Sequence, residues 1–300
     1  MPTRNSVLHS SKTPRGIRFQ LDSYVNKRLD RLAKIHYRSR GHKMAVFAHD
    51  HISAAINVFG YYEKEDLEFL FEFLSPLNEV FRNGLALDIG ANIGNHTLFF
   101  APRFESIHAF EPNPPTYYLL KFNAGFTRNA EAHNIGLGDE AGAFTLVEDV
   151  TNIGASYIGA GKANEAVSEI WVERLDTLDI DRSRLCFIKM DVEGFEARVI
   201  RGGSDTLSRY QPLIVFEQLQ KEFREGSTES IELLSQMGYK FCWHQSGTDS
   251  ASRIMRRYFK TKEFFFGRTH RIVSSPVVPK RTYSMLIAVP PRFQRLLGME

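Results

Sequence analysis

Residues Leu85–Thr97 read LALDIGANIGNHT, and this stretch decides the fold. The apolar run Leu85–Ile89 has the length and composition of a short buried strand. It breaks at Gly90, and NHTLFFAP, from Asn95, opens a helix. A strand that turns into a helix through glycines lets backbone N–H groups approach a ligand closely, because glycine has no Cβ to hold it off. Asp88 stands at the end of the strand, two residues before Gly90. A pyrophosphate would be repelled by that carboxylate, whereas a ligand with an amino group and a sulfonium cation would be attracted. The turn also lacks the GxGxxG spacing of dinucleotide sites, and the chain contains no GxxxxGK[ST] phosphate loop and no Gly-x-Ser-x-Gly elbow. The residues point to S-adenosylmethionine.

From Leu85 onward strands and helices alternate. The strands predicted are 85–89, 106–111, 130–137, 185–191, 212–217, 239–243 and 283–289, with helices starting near Asn95, Pro115, Gly194 and Ser227. A hairpin arm, AGAFTLVE, follows the third strand, and an irregular Gly- and Asn-rich stretch covers 151–164. This alternation argues for an α/β fold with a mostly parallel sheet and helices on both faces. Upstream, Leu21, Tyr24, Val25, Leu29, Leu32 and Ile35 recur at helical spacing and predict a basic helix from about Asp22 to Arg38. Phe47–Phe59 fits either a strand pair or a strand then a helix. Glu63–Leu77 is an amphipathic helix that ends near Pro76.

In open α/β sheets ligands lie at the carboxyl ends of the strands, and this chain places acids there. Glu111 ends the second strand about twenty residues past the glycine turn, where two carboxylate oxygens suit the two hydroxyls of a ribose. Asp139, in GLGDEAG, suits either the exocyclic amine of an adenine or an ordinary tight turn. LCFIKMDVEGFE delivers Asp191 and Glu193 to the end of a buried strand, with Lys189 nearby, and Glu217 ends the next strand. These three acids are candidates to steer a sulfonium and to take a proton from an acceptor. Glu193 also suits a charge complementing a helix N-terminus. No His-x-x-x-His or zinc-finger spacing occurs among the ten histidines, and although Asp191, Glu193 and Glu217 together have the oxygen donors for a divalent cation, acids without a histidine are weak evidence, so no metal site is predicted; His96 and His244 are weaker site candidates.

Bulk composition sets the boundaries. A hydrophobic fraction of 43% over 300 residues supports a proper core. Cys186 and Cys242 lie in apolar runs and read as core residues, not a disulfide framework. Neither a signal-length nor a membrane-length apolar run occurs, so a cytoplasmic protein without a transmembrane segment is expected. Residues 1–45 hold eleven Lys/Arg and two Asp/Glu, residues 251–300 hold the same numbers, and the centre is correspondingly acidic. Basic ends are either solvated tails or surfaces for an anionic acceptor, a membrane face or nucleic acid. The predicted organisation is a basic, largely helical extension over 1–60 and a catalytic domain over 61–300, with core motifs in 85–220 and a substrate-side insertion over 244–282.

The ordered set DIGANIGNHT, FEPNP, GLGDEAG, RLDTL and IKMDVEGFE, preceded by GYYEKEDLEFL, resembles the FkbM-type methyltransferases, a branch of the class I S-adenosylmethionine-dependent enzymes. The resemblance covers about residues 50–220. It implies a Rossmann-like seven-stranded sheet whose last strand is antiparallel, and methyl transfer to an oxygen, often a hydroxyl of a sugar, glycolipid or polyketide. By position it implies that Asp88, Gly90, Ala91, Asn92 and Gly94, with Asn95, hold the methionine side of the cofactor. It also implies that Glu111 takes the ribose, that Asp139 lies near the adenine and that Asp191 sits beside the transferred methyl. The expectation is an O-methyltransferase acting on a small molecule, carbohydrate or lipid, with Asp191, Glu193 and Glu217 as candidate catalytic residues. The alternatives are an RNA or protein methyltransferase, a binding protein without turnover, or a dinucleotide-dependent oxidoreductase. An Asn/Asp-Pro-Pro-Tyr motif, expected after the fourth strand of amino-methylating nucleic-acid enzymes, is replaced here by Asp191-Val-Glu-Gly194, which counts against a nucleic-acid acceptor.

Overall fold

The structure is a computed structural model, and it describes residues 16–40, 43–48, 50–148, 157–158, 166–246 and 270–299. Its helices are α1 (Ile17–Arg40), α2 (His51–Phe59), α3 (Lys64–Phe73), α4 (Asn78–Arg82), α5 (Asn95–Phe100), α6 (Pro114–Ala124), α7 (Glu196–Gly202), α8 (Ser204–Tyr210), α9 (Glu229–Gln236) and α10 (Pro291–Gln294). Its strands are β1 (Leu85–Ile89), β2 (Ser106–Phe110), β3 (Ala130–His133), β4 (Gly136–Leu137), β5 (Gly142–Glu148), β6 (Tyr157–Ile158), β7 (Ala166–Glu173), β8 (Leu185–Met190), β9 (Leu213–Gln218), β10 (Lys240–Ser246), β11 (His270–Ser274) and β12 (Tyr283–Val289).

The main sheet runs β11-β10-β12-β9-β8-β1-β2-β3. From β9 through β3 every pairing is parallel, and β12 is antiparallel to both β9 and β10. This is the class I methyltransferase-like arrangement, with one difference from the seven strands expected. β11 adds an eighth, pairing antiparallel with β10 from Cys242↔Ser274 to Ser246↔His270. It comes from the basic, aromatic segment 244–282, which shows no strand periodicity. Most of the insertion, like most of the irregular stretch 151–164, lies outside the described residues.

A second difference concerns 130–137, read as one strand. The chain leaves the main sheet after His133 and joins a second sheet, ordered β4-β7-β5-β6, at Gly136. Asn134 makes the break: its side-chain amide donates to the carbonyls of Glu111 (2.9 Å) and Pro112 (3.0 Å), binding the chain to the end of β2.

Strand alternation sorts the core onto two faces. Leu85, Leu87 and Ile89 join Ile188, Met190, Ile214 and Phe216 beneath α7, α8 and α9. Ala86, Cys186, Phe187, Leu213, Val215 and Cys242 meet Leu67, Leu70 and Phe71 of α3 and the phenylalanines of α4 and α5. Both cysteines are therefore buried core residues, as expected.

Local chemistry settles the segment that the sequence left open. Asp50 caps α2, its Oδ2 accepting from the Ser53 amide at 3.0 Å, and Gly60, with φ 92°, ends it. Helix α2 belongs to the core through Ile56, whereas α1 buries none of its side chains. His36 Nε2 meets the Val58 carbonyl at 3.0 Å and Arg40 donates to the Gly60 carbonyl at 2.6 Å, which fastens α1 to α2. Further in, the Asn123 side chain bonds both the amide (2.8 Å) and the carbonyl (2.9 Å) of Ala45, and also the Ile93 carbonyl (2.7 Å). Among the described residues no helix is long and apolar enough to cross a membrane.

Candidate active site

The carboxyl ends of β1, β2 and β8 open into a cleft enclosing about 950 Å³, part of it continuous with solvent. The glycine turn forms its floor. Gly90 has φ 73°, and a Cβ there would stand 1.9 Å from the Asp191 carbonyl oxygen, so β1 and the end of β8 approach as closely as only glycine permits. Asn92, at φ 50°, stabilises its own left-handed conformation by accepting from the Ile93 amide at 2.7 Å. Gly90, Ala91, Asn92 and Asn95 all line the cleft. Asn95 also exchanges two hydrogen bonds with the Tyr62 backbone, at 2.9 and 3.1 Å, and so holds Tyr62 in the cleft wall. Gly94 supports the turn from behind, against Leu120.

Asp88 does not reach the wall. It is fully buried beneath the turn, accepting from the Thr97 hydroxyl at 2.6 Å and lying 3.7 Å from Lys189 Nζ. Lys189 in turn donates to the Gly90 carbonyl at 3.2 Å and sits 3.5 Å from Asp191. Burial opposes its charge, but Asp191, Asp88 and Glu63 together outweigh burial and raise its pKa. A buried ammonium thus locks the glycine turn to the β8 end.

Glu111 lines the cleft with both oxygens engaged, Oε2 accepting from the Asn92 amide and Oε1 from the Asn113 amide, each at 2.9 Å. Burial raises its pKa to about 7 against these two bonds. Beside it, the buried Asn113 Oδ1 and Thr116 Oγ1 have no hydrogen-bond partner. Apolar walls come from Phe110, Leu137, Leu146, Ile158 and Phe195.

The acidic motif lies across the cleft. Asp191 and Glu193 line it, and Glu193 adopts a left-handed conformation (φ 52°) ahead of Gly194. Such backbone geometry in a residue with a side chain costs of order 1 kcal/mol or more, and it concentrates at functional sites. Glu217 comes in from β9, and Asp191, Glu193 and Glu217 each place an oxygen within 4.8 Å of the others. Burial and then the Asp191 charge push Glu193 up to about 6; burial, Asp191 and Glu193 push Glu217 up to about 8.

Asp139 stands apart. Its oxygens are taken by Arg198 and by Arg201, the latter at 2.9 Å, and it is absent from the cleft wall. Burial works against its charge, but the two guanidinium bonds prevail and hold its pKa below the ordinary carboxylate value. Sequence patterning singled out neither Tyr62, whose hydroxyl burial and nearby acids push up to about 12, nor Ile52 of α2, nor the Asn113–Thr116 pair, all of which line the cleft. The resemblance of GYYEKEDLEFL was the one signal pointing toward Tyr62.

Comparison with known proteins identifies the family. The family model described as methyltransferase FkbM domain matches residues 88–241. A curated relative from Beauveria bassiana (strain ARSEF 2860), named Methyltransferase 1, is 29% identical over 40% of this chain and 58% of its own. Among solved structures, an FkbM methyltransferase from Methylobacillus flagellatus KT shares 18% identity over 53% of this chain and 39% of its own, with a TM-score of 0.37. The magnesium protoporphyrin IX methyltransferase of Synechocystis PCC 6803, solved with S-adenosylmethionine bound, shares 8% identity over 89% and 96%, with a TM-score of 0.40. The chain thus spans little more than half of the curated relative that it matches. With the matched region reaching from Asp88 at the end of β1 to Phe241 in β10, the chain belongs to the FkbM family of S-adenosylmethionine-dependent methyltransferases.

Proposed function

We propose that the cleft holds S-adenosylmethionine and that the protein methylates a hydroxyl group of a small molecule, sugar or glycolipid. The residues suit such a cofactor. Gly90, Ala91, Asn92, Asn95 and Asp191 line one end of the cleft and bring a carboxylate to it, apt for the amino-acid and sulfonium end. Glu111 presents its remaining lone pairs beside the unpartnered Asn113 Oδ1 and Thr116 Oγ1, a set that accepts hydroxyl donors. Phe110, Leu137, Leu146 and Ile158 suit a flat base. Asp88 and Gly94 act from behind, through Lys189 and the turn. Asp139 contributes by fixing the loop after Leu137 to α7.

Bound there, the cofactor supplies a methyl group already activated on sulfur. The chain's own task is to orient the acceptor and to remove its proton. The observation that carries this reading is the convergence of Asp191, Glu193 and Glu217 at one rim of the cleft. Glu193, pushed only to about 6, is largely ionised at neutral pH and accepts the hydroxyl proton. Glu217, pushed to about 8, still holds a proton there and donates a hydrogen bond to the acceptor or to its neighbours. Tyr62 overhangs the same rim and keeps its proton throughout.

Titration calorimetry with S-adenosylhomocysteine, followed by transfer of a labelled methyl group to fractionated sugars and lipids, tests the division of labour. Glu193→Gln is expected to bind within about threefold of wild type while turnover falls by about 10²–10⁴-fold, the range for removing a general base. A parallel loss of binding and turnover, or binding of NADH in place of S-adenosylhomocysteine, would overturn the assignment.

A further inference from the structure

Away from the cleft, two histidines and a glutamate close a triangle on the sheet surface. His108 lies in β2, and Glu131 and His133 alternate on the edge strand β3, where the parallel register sets His108 opposite Glu131 and Phe110 opposite His133. Residues two apart on a strand share a face, so all three side chains project from the same side of the sheet. Their distances are short and mutual: His108 Nδ1 to His133 Nε2 is 2.8 Å, His108 Nδ1 to Glu131 Oε2 is 3.7 Å, and His133 Nε2 to Glu131 Oε1 is 4.0 Å. Each histidine turns one and the same nitrogen toward both partners.

We infer that His108, Glu131 and His133 form a binding site for a divalent ion of the zinc class. Ligand atoms around a tetrahedral zinc, at about 2.0–2.2 Å from the metal, stand about 3.4 Å from one another; here the two imidazole nitrogens share a hydrogen bond at 2.8 Å, Glu131 meets one through Oε2 and the other through Oε1, and one ligand atom from each residue lies within 4.8 Å of the others. Two imidazoles and one carboxylate are the donor set that such an ion takes, with a fourth position left for water or an exogenous ligand. The site is partly built: the side chains of His108 and His133 are 18% and 22% exposed, whereas Glu131, at 67%, leaves a route of entry. His133 is held flat against Phe110, ring centroids 4.8 Å apart and planes 18° from parallel. Burial first, and for His133 the neighbouring His108 as well, lowers the pKa of both imidazoles, favouring the neutral form that a metal requires; Glu131 opposes this for both.

A second cluster, Asp66, His244 and His270, has the same composition but a different geometry. His244 meets Asp66 through Nδ1 (3.3 Å) and His270 through Nε2 (2.9 Å). Its two nitrogens face opposite partners, so its close contacts run as a chain, although one ligand atom from each residue still lies within 4.8 Å of the others; in the β2–β3 triangle each histidine meets both partners through one nitrogen. Its position also ties it to the cleft, because the Glu111 amide donates to the His133 carbonyl at 3.0 Å. An ion there would cross-link the edge strand to β2 directly beneath the Glu111 end.

The test is titration of the full, tag-free chain with Co²⁺, read by its visible d–d absorption, and displacement by Zn²⁺. One Co²⁺ per chain with tetrahedral absorption is expected, with affinity weakened on the order of a hundredfold or more in His108→Gln and in His133→Gln. Glu131→Gln, which alters only an exposed edge position, is expected to weaken binding while leaving the fold intact. His244→Gln is expected to leave it unchanged, and Mg²⁺ to compete poorly. Zn²⁺ is further expected to raise the melting temperature of wild type but not of His133→Gln. Absence of Co²⁺ binding, binding insensitive to His108→Gln, or loss in His244→Gln would each overturn the site.

Discussion

Glu111 follows β2 and Glu217 lies near the end of β9, at one edge of one sheet, and both hold their protons far above the ordinary carboxylate range. The causes differ. Burial, with a lesser push from the Asp88 charge, raises Glu111, and two backbone amides and Lys189 pull the other way. Glu217 is raised by burial and then by Asp191, Glu193, Glu196 and Glu63, with no cation among the causes. One side of the cleft thus holds a carboxylate fixed in place by one backbone amide at each oxygen. The other holds carboxylates that crowd one another and exchange protons near neutral pH. Fixed acids bind a ligand with little reorganisation, and crowded acids are prepared to move protons.

Three substitutions probe this contrast. Asp88→Asn keeps a partner for the Thr97 hydroxyl but leaves Lys189 without its buried counter-charge. A loss of about 3 kcal/mol is expected, the scale for breaking a buried pair, seen in urea unfolding together with loss of S-adenosylhomocysteine binding. Unchanged stability would show that Asp191 alone neutralises Lys189. Glu111→Gln can accept only one of the two amides. Calorimetry should show affinity reduced by about tenfold to a hundredfold, as for hydrogen bonds to a charged group, with the fold retained.

The smallest effect concerns Glu217. Its folded-state pKa, about 8, exceeds the reference value of 4.5, so the folded protein holds this proton more tightly than the unfolded chain does. That stabilisation is complete below about 4.5 and is lost as pH rises through 8. Glu217→Gln imitates the protonated form, so it should raise the melting temperature by about 2 °C at pH 8 and leave it unchanged at pH 4. A rise of equal size at both pH values would mean that the neighbouring acids do not crowd it.

Much of this was legible in the chain. The glycine turn, the acid after β2 and the DVEG motif declare themselves through local spacing, and alternating strands and helices gave the sheet. What escaped depends on distant residues. Asp139 pairs with Arg198 and Arg201, some sixty positions away, and no local pattern announces a partner so remote. The split between β3 and β4 depends on one Asn134 amide reaching back to Glu111 and Pro112. β11 is called into being by the edge of β10, not by its own composition. The metal-ligand pattern was missed because its histidines are neighbours across strands rather than along one.

Asn123 carries a practical lesson for anyone shortening the protein. Its amide clasps Ala45 on one side and Ile93 of the glycine turn on the other. A version starting at residue 61 discards that clasp together with Ile52 and Ile56, exposing the buried amide and unroofing the cleft. A version starting at Lys43 gives up the outer helix, none of whose residues is fully buried, together with the His36 and Arg40 bonds to the end of α2. The natural place to cut lies ahead of the clasp, and a fragment library spaced across residues 40–61 would locate it by the first member to melt cooperatively.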